Sequence, residues 1–176
     1  MAKPEVDIDV DPETGRWFVD KMPMILVPQH FYNNNHFAIE AALGAEAFDA
    51  ALAPAGRLSA FVWCERQAQV YGLSGSDVFA HYMKRLSQRG WGRFSILALD
   101  PMAGTATIRL DHSSFVTDAT KGAGRKLCYM FAPWLAGALE FVCEQAGAPR
   151  RLQAREVQCA AEGFDHCLFE VVPAAG

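Results

Sequence analysis

Twelve residues near the end of the chain, Glu156-Val-Gln-Cys159-Ala-Ala-Glu-Gly163-Phe-Asp-His-Cys167, constrain its fold more than any other segment. They set a carboxylate and two thiols around a glycine turn, just ahead of the apolar run Leu168-Phe-Glu-Val-Val172. Thiolate sulfur and carboxylate oxygen suit a tetrahedral Zn²⁺, and a glycine between the cysteines lets the backbone fold both sulfurs toward one ion. Side chains alternate along a strand, so Glu156 and Cys159 can share an ion only if the chain bends or bulges between them, a role open to residues 160 to 163. The same spacing also fits two small cysteines buried in a final hairpin. On spacing alone the two readings stand side by side.

The run Arg155-Glu-Val-Gln-Cys-Ala-Ala-Glu-Gly-Phe-Asp-His-Cys-Leu-Phe-Glu-Val resembles the closing motif of the 4-vinyl reductase domain family, in which a Glu, a Cys three later and a Cys eight after that precede the last strand. Upstream, Cys128-Tyr-Met-Phe-Ala-Pro-Trp-Leu-Ala-Gly137 is similar to that family's Cys-led helix with its Gly nine residues on. Asp111-His-Ser-Ser114-Phe115 resembles its Ser-plus-aromatic strand end, and Gly90-Trp-Gly92 the Gly-x-Gly that opens its hairpin. The resemblance covers residues 88 to 172, while the first half matches only in general character.

What the resemblance implies is an α+β fold, a single domain with an antiparallel sheet packed with helices, shared with trafficking-complex subunits. In the phenol-sensing members the matching residues bind one structural zinc. Carried over residue by residue, the ligands are Cys128, Glu156, Cys159 and Cys167. Four protein ligands close the sphere, so such a zinc crosslinks the long helix to the last hairpin and activates no substrate. The resemblance also implies a homodimer and a closed pocket for a small aromatic or hydrophobic molecule. Phe115 stands at the position of a pocket aromatic, with Trp91, Tyr129, Phe131 and Trp134 as neighbours.

Composition bounds the alternatives. A chain of 176 residues, 51% of them hydrophobic, can bury one substantial core. A net charge of −4 without a Lys/Arg run argues against nucleic acid, which needs a basic stripe. There is no uninterrupted apolar stretch of about eighteen residues and no basic-then-apolar leader, so neither a membrane span nor a secretory signal is expected, and cytoplasmic residence follows. Five cysteines, an odd number, then read as thiols and ligands, with Cys64 and Cys143 as ordinary thiols.

The pattern along the chain predicts its elements. Residues 1 to 16 carry five acidic groups and read as a flexible acidic arm, with the domain occupying residues 17 to 176. Residues 17 to 32 are interrupted by Pro23 and Pro28 and favour extended segments. With Asn33-Asn-Asn35 as a cap, a helix is expected over 36 to 53, placing Phe37, Ala41, Phe48 and Leu52 on one face and stopping at Pro54. A second helix is expected over 57 to 71. A third should run from Ser74 or Ser76 to Arg89, burying Val78, Phe79, Tyr82, Met83 and Leu86. Strands follow over 91 to 100 and 105 to 115, with Ala106, Ile108 and Leu110 inward. A largely apolar helix over 127 to 146, with Pro133 kinking it or in its first turn, precedes strands over 151 to 160 and 167 to 172.

Other chemistry is weaker. His166 adjoins Cys167 but would point to the opposite face of a strand. His112 beside Ser113 and Ser114 cannot form a nucleophile and base from adjacent strand positions. Cys64 lies next to Glu65, which raises a thiol pKa. No catalytic residue is assigned. Three function classes remain: a small-molecule binding or sensory domain acting through a downstream partner protein; an accessory protein or reductase-type enzyme of a pigment or aromatic/amine catabolic pathway; and a structural adaptor. The first fits best, because no dinucleotide fingerprint is visible to supply redox power.

Overall fold

Backbone breaks at glycines, and one proline that fails to break a helix, organise the first half of the molecule. The computed structural model describes residues 5–175. Strands β1 (Asp9–Val10), β2 (Trp17–Val19) and β3 (Met22–Met24) form a small antiparallel sheet in that order. Asp20 and Lys21 both take positive φ, 53° and 59°, the two-residue turn geometry that matches strand twist. Backbone pairing thus starts at Asp9, within the segment read as an arm and upstream of the start expected near Trp17, because Val10 pairs with Trp17. Residues 1 to 4 of that segment lie outside the described residues.

Helices α1 (Gln29–Leu43) and α2 (Ala45–Tyr71) correct the expected boundaries. The helix starts after Pro28, so the three asparagines lie inside it; the break falls at Gly44, with φ 83°, and Pro54 sits within α2. A proline removes one hydrogen bond from a helix. Here its ring faces solvent while the rest of α2 is held by packing on α4 (Phe131–Gln145). Of the apolar face expected for residues 36 to 53, Phe48 is buried and Phe37 half-buried, but Ala41 and Leu52 are exposed. α1 instead buries Asn33, His36 and Glu40.

The second half follows the sequence pattern more closely. α3 (Ser76–Gln88) buries the five residues expected of it. The main sheet has β4 (Arg93–Asp100), β5 (Thr105–Asp111), β6 (Leu152–Gln158) and β7 (Cys167–Pro173) in the antiparallel order β4-β5-β7-β6. Ala106, Ile108 and Leu110 are buried as expected. α4 starts later than residue 127, with Pro133 in its first turn, where a missing N–H costs nothing. It is an α+β single domain with helices packed on an antiparallel sheet.

α4 contacts α2, α3, β6 and β7, and is buried along almost its whole length. Gly137 permits this: a Cβ there would lie 2.1 Å from the Arg57 carbonyl oxygen on α2. At the same crossing Arg57 Nη1 donates to the Leu152 carbonyl at 2.7 Å and pairs with Glu140, whose Oε1 accepts the Leu152 N–H at 2.7 Å. Two helices and the edge strand β6 are therefore joined at one point. Gly137→Ala should destabilise the protein by about 3 kcal/mol through overpacking, read as a lower urea midpoint at unchanged slope. Alanine's better helix propensity, about 1 kcal/mol, offsets only part of this.

At the end of β5, Asp111 is buried and accepts hydrogen bonds from Arg109 and Arg93. The Arg109 guanidinium, helped by Arg93, holds its carboxyl at about 2, below the usual 3.8. A depressed folded-state value means that this group stabilises the fold above the unfolded value, and that the contribution is lost as pH falls from 3.8 toward 2. In acid titrations of stability, Asp111→Asn should flatten the wild-type decline in that window.

Candidate metal centre and adjoining clefts

Four ionisable side chains converge where the loop before α4 meets the β6–β7 hairpin. The Sγ atoms of Cys128 and Cys167 lie 3.6 Å apart, those of Cys159 and Cys167 3.8 Å, and those of Cys128 and Cys159 4.0 Å. With a Glu156 oxygen, all four donor atoms fall within 4.8 Å of one another, and all four residues are buried. A tetrahedral ion with metal–sulfur bonds of about 2.3 Å needs sulfurs about 3.8 Å apart, so the spacing is that of a metal site. Glu156 Oε2 accepts the Cys128 N–H at 3.0 Å, while its buried Oε1 has no hydrogen-bond partner among the described residues. That oxygen is available as the fourth donor.

Local backbone geometry explains the convergence. The β6–β7 register shifts between Glu156 and Gln158, so a bulge at Val157 turns Cys159 onto the side of Glu156. The required irregularity is present, and it precedes residues 160 to 163. Those residues make a short 3-10 turn, Ala160–Glu162, closed by Gly163 at φ 106°, which returns Cys167 beneath Cys159. Cys128 lies three residues before α4 begins, not within the helix.

The four acids cannot all ionise unaided in so dry a place. Hydrogen bonds from the Cys128 and Cys167 thiols hold Cys159 low, and burial pushes the Glu156 carboxyl up to about 9. Neutral donors ease the sulfur charge: Ala160 N–H to Cys167 at 3.3 Å, Ala161 N–H to Cys159 at 3.4 Å, and a 3.0 Å contact between Ser113 Oγ and Cys128. Lys126 pairs with Glu162, whose other oxygen accepts the Cys159 N–H. Arg125 pairs with Glu40, and Arg155 faces outward to Glu170. His166 stands apart, paired with Asp165, and His112 is exposed at φ 54°.

Of the aromatic residues singled out from sequence, Trp91, Phe115, Phe131 and Trp134 form a connected cluster, and Tyr129 joins it through His36 at 6.0 Å. Phe131 lies 5.5 Å from Phe115, 5.3 Å from Trp134 and 5.8 Å from Trp91, centroid to centroid. Phe115 and Phe131 are fully buried and packed on each other. Two surface clefts open at the edge of the cluster, of about 280 and 180 Å³. Trp91 lines both and Trp134 the smaller, whereas Phe115, Tyr129 and Phe131 line neither.

Sequence reasoning missed the polar members of this region. Asn33 and Ser114 are buried and line the larger cleft; Asn33 Nδ2 donates to the Ser114 carbonyl at 2.8 Å, but Asn33 Oδ1 and Ser114 Oγ have no partner among the described residues. Deeper in, His36 lies 4.7 Å from the Phe115 ring with Nε2 unpartnered, and burial pulls its pKa down. The Tyr129 hydroxyl is likewise unpartnered, and burial pushes its pKa up. Positions 33, 36 and 40 do fall at helical spacing, but a polar stripe reads as a solvent face until packing is known.

A family model described as "Domain of unknown function (DUF5943)" matches residues 2–97. No curated protein matches the sequence significantly. The fold is similar to the crystal structure of the phenol-responsive sensory domain of the transcription activator PoxR with phenol, at TM-score 0.73 and 15% identity over 94% of this chain and 84% of that one. It is also similar to a trafficking protein particle complex subunit 3 from Naegleria fowleri covalently bound to palmitic acid, at TM-score 0.56 and 13% identity over 84% of this chain and 95% of that one. At these identities the likeness is one of fold, and it bears out the architecture expected from the sequence. The matched family segment lies largely in the half whose resemblance to 4-vinyl reductase domains was only general.

Proposed function

The chain belongs to the DUF5943 family, and from that premise we propose that it is a small-molecule-binding sensory domain, braced by a structural zinc and acting through a partner protein. The observation that carries this reading is the larger cleft: apolar and aromatic walls at Met24, Tyr32 and Trp91, with the buried polar residues Asn33 and Ser114, each holding an unpartnered atom just beneath the surface, among its lining. Ligand sites characteristically combine an apolar enclosure with a few polar groups that fix orientation. The shared fold with a phenol-responsive sensory domain supports the same class of ligand, a planar aromatic molecule. Trp91 and Trp134 are the ligand-contacting members of the aromatic set in this reading, and Phe115, Tyr129 and Phe131 support them from behind.

Cys128, Glu156, Cys159 and Cys167 would hold the zinc. When bound, the ion supplies a crosslink with a closed coordination sphere and lets all four acids ionise together. The chain's own residues then position the site: the Cys128 loop leads into Tyr129 and Phe131, and Ser113, in contact with Cys128, precedes Ser114 and Phe115. All five cysteines are free, which fits a reducing, cytoplasmic setting. No described helix is long and apolar enough to cross a membrane.

A homodimer completes the proposal. Ile25, Leu26, Phe31, Ile39 and Leu43 are exposed along the β3–α1 connection and α1, and Leu58 and Val62 along α2, apolar side chains that a second subunit would cover. Native mass spectrometry should report two chains carrying about one zinc ion each. Cys159→Ser should lose the metal and about 3 kcal/mol or more of stability, roughly 10 °C in Tm. Metal-free wild-type protein with an unchanged Tm would remove the zinc, and a monomer at micromolar concentration would remove the dimer.

The close packing of Phe115 on Phe131 favours a second reading, an adaptor that binds only proteins. Tryptophan fluorescence decides between them. Phenol should quench wild-type emission saturably, and Trp91→Phe should abolish most of the change while leaving the fold intact. No saturable response to phenol or other planar aromatics would leave the adaptor.

A further inference from the structure

The two clefts share Met24, Trp91 and Arg89, and at that junction Arg89 has only a shared carboxylate to balance its charge. Arg89 caps the C-terminus of α3, and its guanidinium lies over the Trp63 ring, 4.8 Å from the centroid. Its side chain is only 12% exposed. Nε and Nη2 are sealed from solvent and have no hydrogen-bond partner among the described residues. Asp20 is the carboxylate facing it, but Asp20 Oδ1 already accepts from Arg85 at 2.7 Å and from the Tyr71 hydroxyl at 2.6 Å. Asp20 Oδ2 makes a long ion pair with Arg89 Nη2, at 3.5 Å and without hydrogen-bond geometry. One carboxylate thus serves two guanidinium groups, leaving one positive charge in excess beside the clefts.

Arginine does not deprotonate in proteins, so the excess cannot be shed as a proton. Its planar fork matches a carboxylate, and a guanidinium already desolvated by the protein gains more from an ion pair than one in water. Asn33, 7% exposed, adds a polar side chain to the lining of the larger cleft. The walls between these polar points are Trp91, Tyr32 and Met24.

We propose that this cleft selects a small organic acid, its carboxylate paired with Arg89 and its planar apolar body lying against Trp91. The inference rests on the reading of the cleft as the ligand site and narrows it from neutral aromatics to anions. The test is calorimetric titration of the full chain with benzoate and with its neutral isostere benzamide, at constant ionic strength. Benzoate should bind at least about tenfold more tightly than benzamide. Arg89→Met should weaken benzoate by at least about tenfold and leave benzamide within about twofold. Should the Met variant fail to fold, Arg89→Lys keeps the cation but loses the fork, and must weaken benzoate selectively. Equal binding of the two compounds, or benzoate binding indifferent to residue 89, overturns the acid preference while leaving a ligand-binding domain. Binding of neither overturns both.

Discussion

Three thiols and a carboxylate share a site too dry for all of them to carry charge without a cation, and much of the architecture around the candidate ligand region hangs from that shared point. The loop before α4, the bulged end of β6 and the start of β7 meet there. Cys128 is held by its N–H on Glu156 and by its sulfur on Ser113, so the segments leading to Phe115 and to Tyr129 and Phe131 leave from one anchor. A metal held at that position would tie the loop before α4 to the β6–β7 hairpin.

The crossing of α4 with α2 is secured differently. α4 crosses α2 with a glycine against a backbone carbonyl, and Arg57, Glu140 and the Leu152 peptide satisfy one another there. Ion pairs buried in this way contribute through geometry as much as through charge, because removing any member strands the others. Among the helices α1 is the outlier: it turns polar residues inward and leaves Phe31, Ile39 and Leu43 exposed.

Buried polar groups without partners are uncommon in finished folds. Asn33, His36, Arg89, Ser114 and Tyr129 each leave at least one such atom, and all lie on the segments that surround Trp91 and Phe115. Asp20, Asp49, Trp63, Arg85 and Glu156 leave such atoms as well, so it is the position of Asn33 and Ser114 in the lining of the larger cleft that favours a ligand-binding interpretation over plain core packing. The apolar cluster alone, with Phe115 against Phe131, does not make that distinction.

Local pattern determined the elements whose neighbours are near in sequence. The stripe Val78, Phe79, Tyr82, Met83 and Leu86, the alternation of Ala106, Ile108 and Leu110, and the Glu156–Cys159–Cys167 spacing around Gly163 each report their own packing, because periodicity and turn chemistry act over a few residues. Tertiary structure decided the rest. Pro54 stays helical because α4 supports α2 across a crossing that a local pattern does not encode, and Asn33, His36 and Glu40 face inward because α1 is pressed against the Phe115 and Arg125 segments, about eighty residues away in sequence. Arg89 reads from sequence as an ordinary helix-ending cation; only the placement of Asp20, on a hairpin turn far upstream and already engaged by Arg85 and Tyr71, leaves it short of a partner.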